Sequence, residues 1–262
     1  MWTDRLVVLD DVTPAEWLAA RLGGSFGAAA RTVPRGFAAY ARILHPAQDE
    51  DARPVRWSTV AERSGRRVHA TAQWHCVAGT DDQLTRIGGR PPVVEPPCGN
   101  LPLAPLGALC DLLADHTRTA DACYFCLWEG WGQLWGGSSR VRVDSSSGFA
   151  LAEPVPPVMT AEELRAPRVC LPGRDYLLLR GPLTATADLA RYDGDLPWTQ
   201  SPNLFWPADR AWCVATEVDF DSTLVGGSAE LIAAVLRSPE LEAWPIDLDD
   251  SLASDGDRVN RR

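Results

Sequence analysis

The chain has 262 residues, 45% hydrophobic and 23% charged, with a net charge of −10. That length buries a substantial core, roughly 70–75% of the unfolded surface, and the composition is ordinary for a globular protein. All 25 basic residues are arginine. This excludes chemistry that needs a lysine amine: Schiff-base and pyridoxal-phosphate catalysis, the phosphate-binding loop of ATPases and the kinase scaffold.

The charge is uneven: residues 1–100 carry +1, residues 101–200 carry −4 and residues 201–262 carry −7. An acidic surface gains nothing from neutralising phosphates, so nucleic acid is not an expected partner. Met1-Trp2-Thr3-Asp4-Arg5 lacks a basic-then-apolar leader, and no apolar run approaches the ~18 residues of a membrane span. Seven cysteines, at 76, 98, 110, 123, 126, 170 and 213, are an odd set that reads as free thiols in a reducing compartment. The expected location is therefore cytoplasmic, with no membrane and no cofactor.

In chain order, Thr13-Pro14-Ala15-Glu16 is a capping box with proline at the first helical position. It opens a helix with Trp17, Leu18 and Leu22 inward, ended by Gly23-Gly24. Phe37–Leu44 reads as a strand stopped by His45-Pro46. Thr59 and Glu62 form a second capping box, and Gly65 stops that helix. The stretch 68–77 fits helix or strand equally. Five prolines at 91, 92, 96, 97 and 102 mark a linker. Leu106, Leu109, Cys110 and Leu113 then fall on one helix face.

Cys123–Trp128 is apolar throughout, as is a strand buried on both faces. Ser138–Gly148 and the proline-bearing 154–172 read as loops, Tyr176–Leu179 as a buried strand and Thr184–Tyr192 as a helix. Leu196–Pro207 reads as an aromatic loop. Trp212, Val214, Thr216, Val218 and Phe220 alternate as one face of a strand. Asp221-Ser222 is a turn, Thr223–Val225 a return strand, and Gly226-Gly227-Ser228 starts a helix with Leu231, Ile232 and Val235 inward. The acidic tail after Asp247 is expected to fray. Short strands mixed with helices, without regular βαβ alternation, predict an α+β fold with a mainly antiparallel sheet. The expected division is an N-terminal α+β lobe at 1–90, a linker at 91–102, a C-terminal α+β lobe at 103–247 and a polar tail at 248–262.

The run Ser201-Pro202-Asn203-Leu204-Phe205-Trp206-Pro207-Ala208-Asp209-Arg210-Ala211-Trp212-Cys213-Val214-Ala215-Thr216-Glu217, with Val225-Gly226-Gly227-Ser228, resembles an uncharacterised family common in high-GC actinobacteria. Cys123-Tyr124-Phe125-Cys126-Leu127-Trp128-Glu129-Gly130-Trp131-Gly132 resembles that family's central motif. The resemblance implies no activity, substrate or catalytic residue. A looser similarity, an aromatic hairpin followed by Gly-Gly and a helix, links the chain by analogy to small acidic immunity proteins of bacterial toxin systems.

Two constellations could carry function. Glu217, Asp219 and Asp221 would share one strand face, about 6.5–7 Å apart per step. Three carboxylates in a row repel unless a cation or an arginine sits among them, so they suit a hard-cation site, an acid/base pair or a surface paired with Arg210 or Arg180. The second is aromatic: Trp128, Trp131 and Trp135 around Glu129, and Trp198, Phe205 and Trp206 in the later loop, are the residue types of ligand platforms and interface hot spots. Cys123 and Cys126 have redox spacing, but three residues along a strand puts them on opposite faces. His45, His69, His75 and His116 form no metal motif, and Gly-x-Ser-x-Gly is absent. Gly226-Gly227-Ser228 reads as a serine N-cap.

The expected function is a non-catalytic, immunity-type protein-binding domain. Its acidic, aromatic C-terminal surface would dock another protein, a basic one if electrostatically steered. The alternative is a metal- or carboxylate-dependent hydrolase of a small polar ligand, with the three carboxylates as its chemistry.

Overall fold

The computed structural model describes residues 5–25, 27–80, 92–136, 157–189 and 200–260, together with the backbone of strand segments 84–85, 139–143 and 150–154. Its strands are β1 (Val7–Val8), β2 (Ala39–Leu44), β3 (Ala47–Gln48), β4 (Pro54–Val55), β5 (Leu84–Thr85), β6 (Val93–Val94), β7 (Cys123–Trp128), β8 (Ser139–Val143), β9 (Ala150–Pro154), β10 (Arg168–Leu171), β11 (Arg174–Gly181), β12 (Leu204–Pro207), β13 (Cys213–Ala215), β14 (Ser222–Gly227) and β15 (Ala243–Pro245). The α-helices are α1 (Glu16–Ala19), α2 (Ala29–Thr32), α3 (Trp57–Ser64), α4 (Trp74–Ala78), α5 (Leu103–Ala114), α6 (Gly132–Trp135), α7 (Thr186–Leu189) and α8 (Ala229–Arg237). The fold is α+β.

Nine strands form one antiparallel sheet in the order β1-β11-β7-β12-β13-β14-β2-β15, with β10 also paired to β11. β3 to β6 make a small second sheet, and β8 pairs with β9. The central strands are apolar at nearly every position because both faces of the sheet are covered. Phe125, Leu127, Leu177, Leu179, Phe205, Val214 and Val225 face α5 and α8, which contribute Leu106, Leu109, Leu113, Leu231, Ile232 and Val235. Cys126, Leu178, Leu204, Trp206, Cys213, Ala215 and Leu224 face the other way, against Trp17, Leu18, Ala29, Val33, Ile246 and Leu252. A third cluster joins α3, α4 and the small sheet around Trp57, Val60, Trp74 and Val77.

Strand pairing crosses the division expected at 91–102. Ala41 of β2 pairs with Val225 of β14, and Val8 of β1 with Leu179 of β11, so the first 44 residues supply strands to the sheet built by 123–245. Within the linker, Leu101 is buried and its amide donates to Ser201 Oγ at 3.0 Å. The tail expected to fray is docked instead. Asp257 is buried and accepts from the amides of Gln73, Val259 and Asn260 and from His69 Nε2. Leu252 packs with Trp17 and Leu18.

Local signals hold where they rest on neighbours in sequence. Ser228 caps α8 by accepting from Leu231 N at 3.2 Å, and Gly65 ends α3 in the left-handed conformation. They fail where a distant group intervenes. α3 starts at Trp57, before the Thr59–Glu62 box, because Glu242 accepts from the amides of Trp57 and Ser58 at 2.7 and 2.8 Å. Thr13 also makes no side-chain cap, but there the intervening group is a near neighbour, since its own amide donates to Asp11 Oδ1. Of the stretch 138–148 expected as a loop, residues 139–143 form β8, and 138 and 144–148 lie outside the described residues.

Candidate functional site

The site forms at one end of the sheet, where β7, β12 and β13 finish and the β10–β11 hairpin turns. Gly173 takes the left-handed backbone of that turn (φ +88°). This starts β11 at Arg174 and puts Arg174 and Tyr176 two residues apart, on one face. Tyr176 pairs across the sheet with Trp128. Asn203, fully buried, ties the strand ends together. Its Oδ1 accepts from Trp128 N at 2.9 Å and from Trp131 Nε1 at 3.0 Å, and its backbone carbonyl accepts from Thr216 N at 2.6 Å.

Around this frame the structure assembles six of the expected residues into one rim. Trp128 and Trp131 meet edge to face at 5.4 Å. Trp135 Nε1 donates to the carbonyl of Glu129 at 2.7 Å, and its ring is 49% exposed. The Glu129 carboxylate accepts from Arg168 at 3.0 Å. Arg174 lies 5.0 Å over the Trp128 ring, and its guanidinium donates to Glu217 at 2.8 Å and Asp219 at 2.6 Å. Burial works against that charge, but the two carboxylates outweigh it and hold the Arg174 pKa above its ordinary value. The tight turn after Trp128 requires Gly130, because a Cβ there would lie 2.1 Å from the Trp128 ring.

Beside the rim lies a cleft of about 200 Å³. Arg31 and Thr32 of α2 line it, with Arg174, Tyr176, Thr216 and Glu217. Burial pushes the Tyr176 phenol pKa up, with Glu217 adding to the shift, so this hydroxyl keeps its proton and acts as a donor.

The other expected residues go elsewhere. Phe205 and Trp206 are not on a surface loop: they belong to β12, between β7 and β13. Phe205 stacks on Phe125 at 6.0 Å, and Trp206 stacks on Tyr124 at 5.7 Å on the opposite face. Both are buried. Trp198 lies outside the described residues. The strand expected to align the three carboxylates ends at Ala215, so Thr216–Asp221 is a loop and the residues diverge.

Asp221 joins a separate buried network. Its carboxylate accepts from Arg42 at 3.3 Å, while Arg42, 1% exposed, also donates to Ser222 Oγ and to the carbonyls of Ala70 and Ala72. Burial raises the Asp221 pKa. His45 sits in the same region. Its Nδ1 is 2.7 Å from the Pro97 carbonyl, which can only accept, so Nδ1 carries the proton. Nε2 therefore accepts from Thr223 Oγ1 at 2.9 Å, and Thr223 Oγ1 is 2.8 Å from Thr216 Oγ1. Burial lowers the His45 pKa to about 4.

The arginines found on the carboxylates are Arg174 and Arg42, not Arg210 or Arg180. Among the described residues no group of three His, Cys, Asp or Glu side chains is placed to hold a metal ion. Cys123 and Cys126 occupy opposite faces of β7, in different clusters, and burial pushes the Cys123 thiol to about 12. No helix of the described residues is long and apolar enough to cross a membrane. Sequence reasoning missed Arg31, Arg174, Tyr176 and Asn203. The period of two before the apolar run Tyr176–Leu179 does put Arg174 on the Tyr176 face, whereas Asn203 carries no local signal. Comparison of the chain with protein-family models, with curated proteins and with solved structures finds no match in any of the three.

Proposed function

We propose that the protein is a non-catalytic cytoplasmic binding protein that docks a basic protein partner on the Trp128–Trp135 rim. The observation that carries this reading is Trp135, the one aromatic residue among the strongly exposed large hydrophobics of the described residues, set on a rim whose outward charge is negative. The side chains of Asp219 and Glu129 are 70% and 39% exposed, whereas the arginines paired with them, Arg174 and Arg168, are 25% and 18% exposed. A partner therefore meets an indole and carboxylates, the combination that gives an anchor and electrostatic steering. An immunity-type role against a basic toxin is one form of this reading. The cytoplasmic placement is supported by seven cysteines, none of them paired. Glu217 and Asp219 share one guanidinium and Asp221 has another, so no hydrolytic step is assigned to them.

The test is a photo-crosslinking residue placed at position 135 of the chain in its native host, with exposed Val94 of the small sheet as the control position. A protein adduct of one defined mass at 135 and none at 94 is expected. No adduct at 135, or the same adducts at both positions, would overturn the reading.

A further inference from the structure

The cleft beside the rim has unused hydrogen-bonding groups pointing to a ligand of its own. The Arg31 guanidinium makes no ion pair or hydrogen bond among the described residues, although its Nη2 lies only 3.9 Å from the point where a Cβ on Gly173 would sit, against the turn that forms the cleft wall. Tyr176 is 4% exposed, yet its hydroxyl has no partner among the described residues and is not sealed from the cleft. A hydroxyl on so buried a ring, open only to the cleft, takes its partner from whatever occupies the cleft. On the opposite side, both Arg174 nitrogens that reach Glu217 bond to Oε1, leaving Oε2 without a hydrogen bond among the described residues.

We propose that this cleft binds a single carboxylate carrying an N–H group on the adjacent carbon, as a free α-amino acid or the last residue of a peptide chain does. The carboxylate accepts from the Arg31 guanidinium, whose planar fork matches its two oxygens, and from Tyr176 Oη. The N–H donates to Glu217 Oε2. The charges lining the cleft favour one negative charge over two. Arg174 is already neutralised by Glu217 and Asp219, so Arg31 is the only uncompensated cation among the described lining residues, and a phosphate dianion would face the Glu217 carboxylate with one cation to hold it. This site stands independently of the docking surface, and either can fail alone.

The experiment titrates the full chain with alanine, N-acetylalanine, N-acetylalaninamide and inorganic phosphate, following melting temperature and binding heat. Saturable binding of alanine or N-acetylalanine, with none of the amide or of phosphate, is expected. Alanine alone assigns a free amino acid, and N-acetylalanine assigns a chain terminus. Arg31→Met, which keeps most of the aliphatic stem, is expected to weaken binding by about tenfold to a hundredfold. Tyr176→Phe, which removes one oxygen from an otherwise unchanged ring, is expected to weaken it by about threefold to tenfold. Failure of both carboxylates to bind would overturn the proposal. So would equal binding of the amide, binding of phosphate alone, or affinities unchanged in both variants while the unliganded melting temperatures stay at the wild-type value.

Discussion

Glu217, Asp219 and Asp221 are spaced alike along the chain, yet they enter two regions with opposite physics. Asp221 turns inward to Arg42, a guanidinium that is 1% exposed and hydrogen-bonded on several sides. Asp219 turns outward and meets Arg174 with most of its side chain in water. A buried pair is expensive to break because each partner leaves an uncompensated charge, whereas an exposed pair is weak because water and salt screen it. The inner region therefore stabilises the fold, and the outer one is free to serve recognition.

The largest expected difference between the regions comes from Arg42→Met against Arg174→Met. The first is expected to cost about 3–5 kcal/mol of unfolding free energy and the second, whose partners Glu217 and Asp219 are 23% and 70% exposed, about 1–2 kcal/mol, measured by urea denaturation. Equal costs would erase the distinction. Next come two tryptophans. Trp206→Ala empties a site between Tyr124 and Trp17 and is expected to cost about 3–5 kcal/mol, whereas Trp135→Ala on the rim stays within about 0.5 kcal/mol.

Acid separates the regions in the same way. The folded pKa of His45, about 4, lies below its ordinary value, so the unfolded chain takes up a proton first as pH falls. The stability that neutral His45 contributes is intact above about pH 6.5 and is lost as pH falls to about 4, by about 3 kcal/mol in total. Asp221 acts in the opposite sense, since its raised pKa favours its protonation in the fold at low pH. Comparing denaturation of wild type and His45→Gln across that window isolates the histidine. The variant is expected to be less stable near neutrality and to lack the slope.

Much of the inner region was legible in the sequence. β7, β11, α5 and α8 are marked by unbroken apolar runs or one apolar face, and the Ser228 cap by its neighbours. The central strand β12 was not, because Leu-Phe-Trp-Pro is too short to alternate and two prolines, Pro202 and Pro207, make its surroundings look like loop. The carboxylate trio was misread for a related reason: alternation from Trp212 to Phe220 looks like one strand, but Asn203 holds Thr216 as pairing ends, and the chain turns away. Half of the rim, Trp128 to Trp135, came from a local cluster. Its other half depends on Arg174 and Asn203, which reach it only through sheet register and a contact 75 residues distant in sequence.

The smallest stability effects are expected on the outer acids. Asp219→Asn is expected to change stability by about 0–1 kcal/mol, whereas Asp221→Asn, which weakens the partner of buried Arg42, is expected to cost about 1–3 kcal/mol. Thermal denaturation of the two variants ranks them.

The most direct measurement carries the cross-linking residue at position 135 into an Asp219→Arg protein. With recognition on the outer rim, the adduct seen without that substitution disappears while the unfolding free energy stays within about 1 kcal/mol of the parent. An adduct of undiminished yield from a folded Asp219→Arg protein would contradict a basic partner docking on this surface.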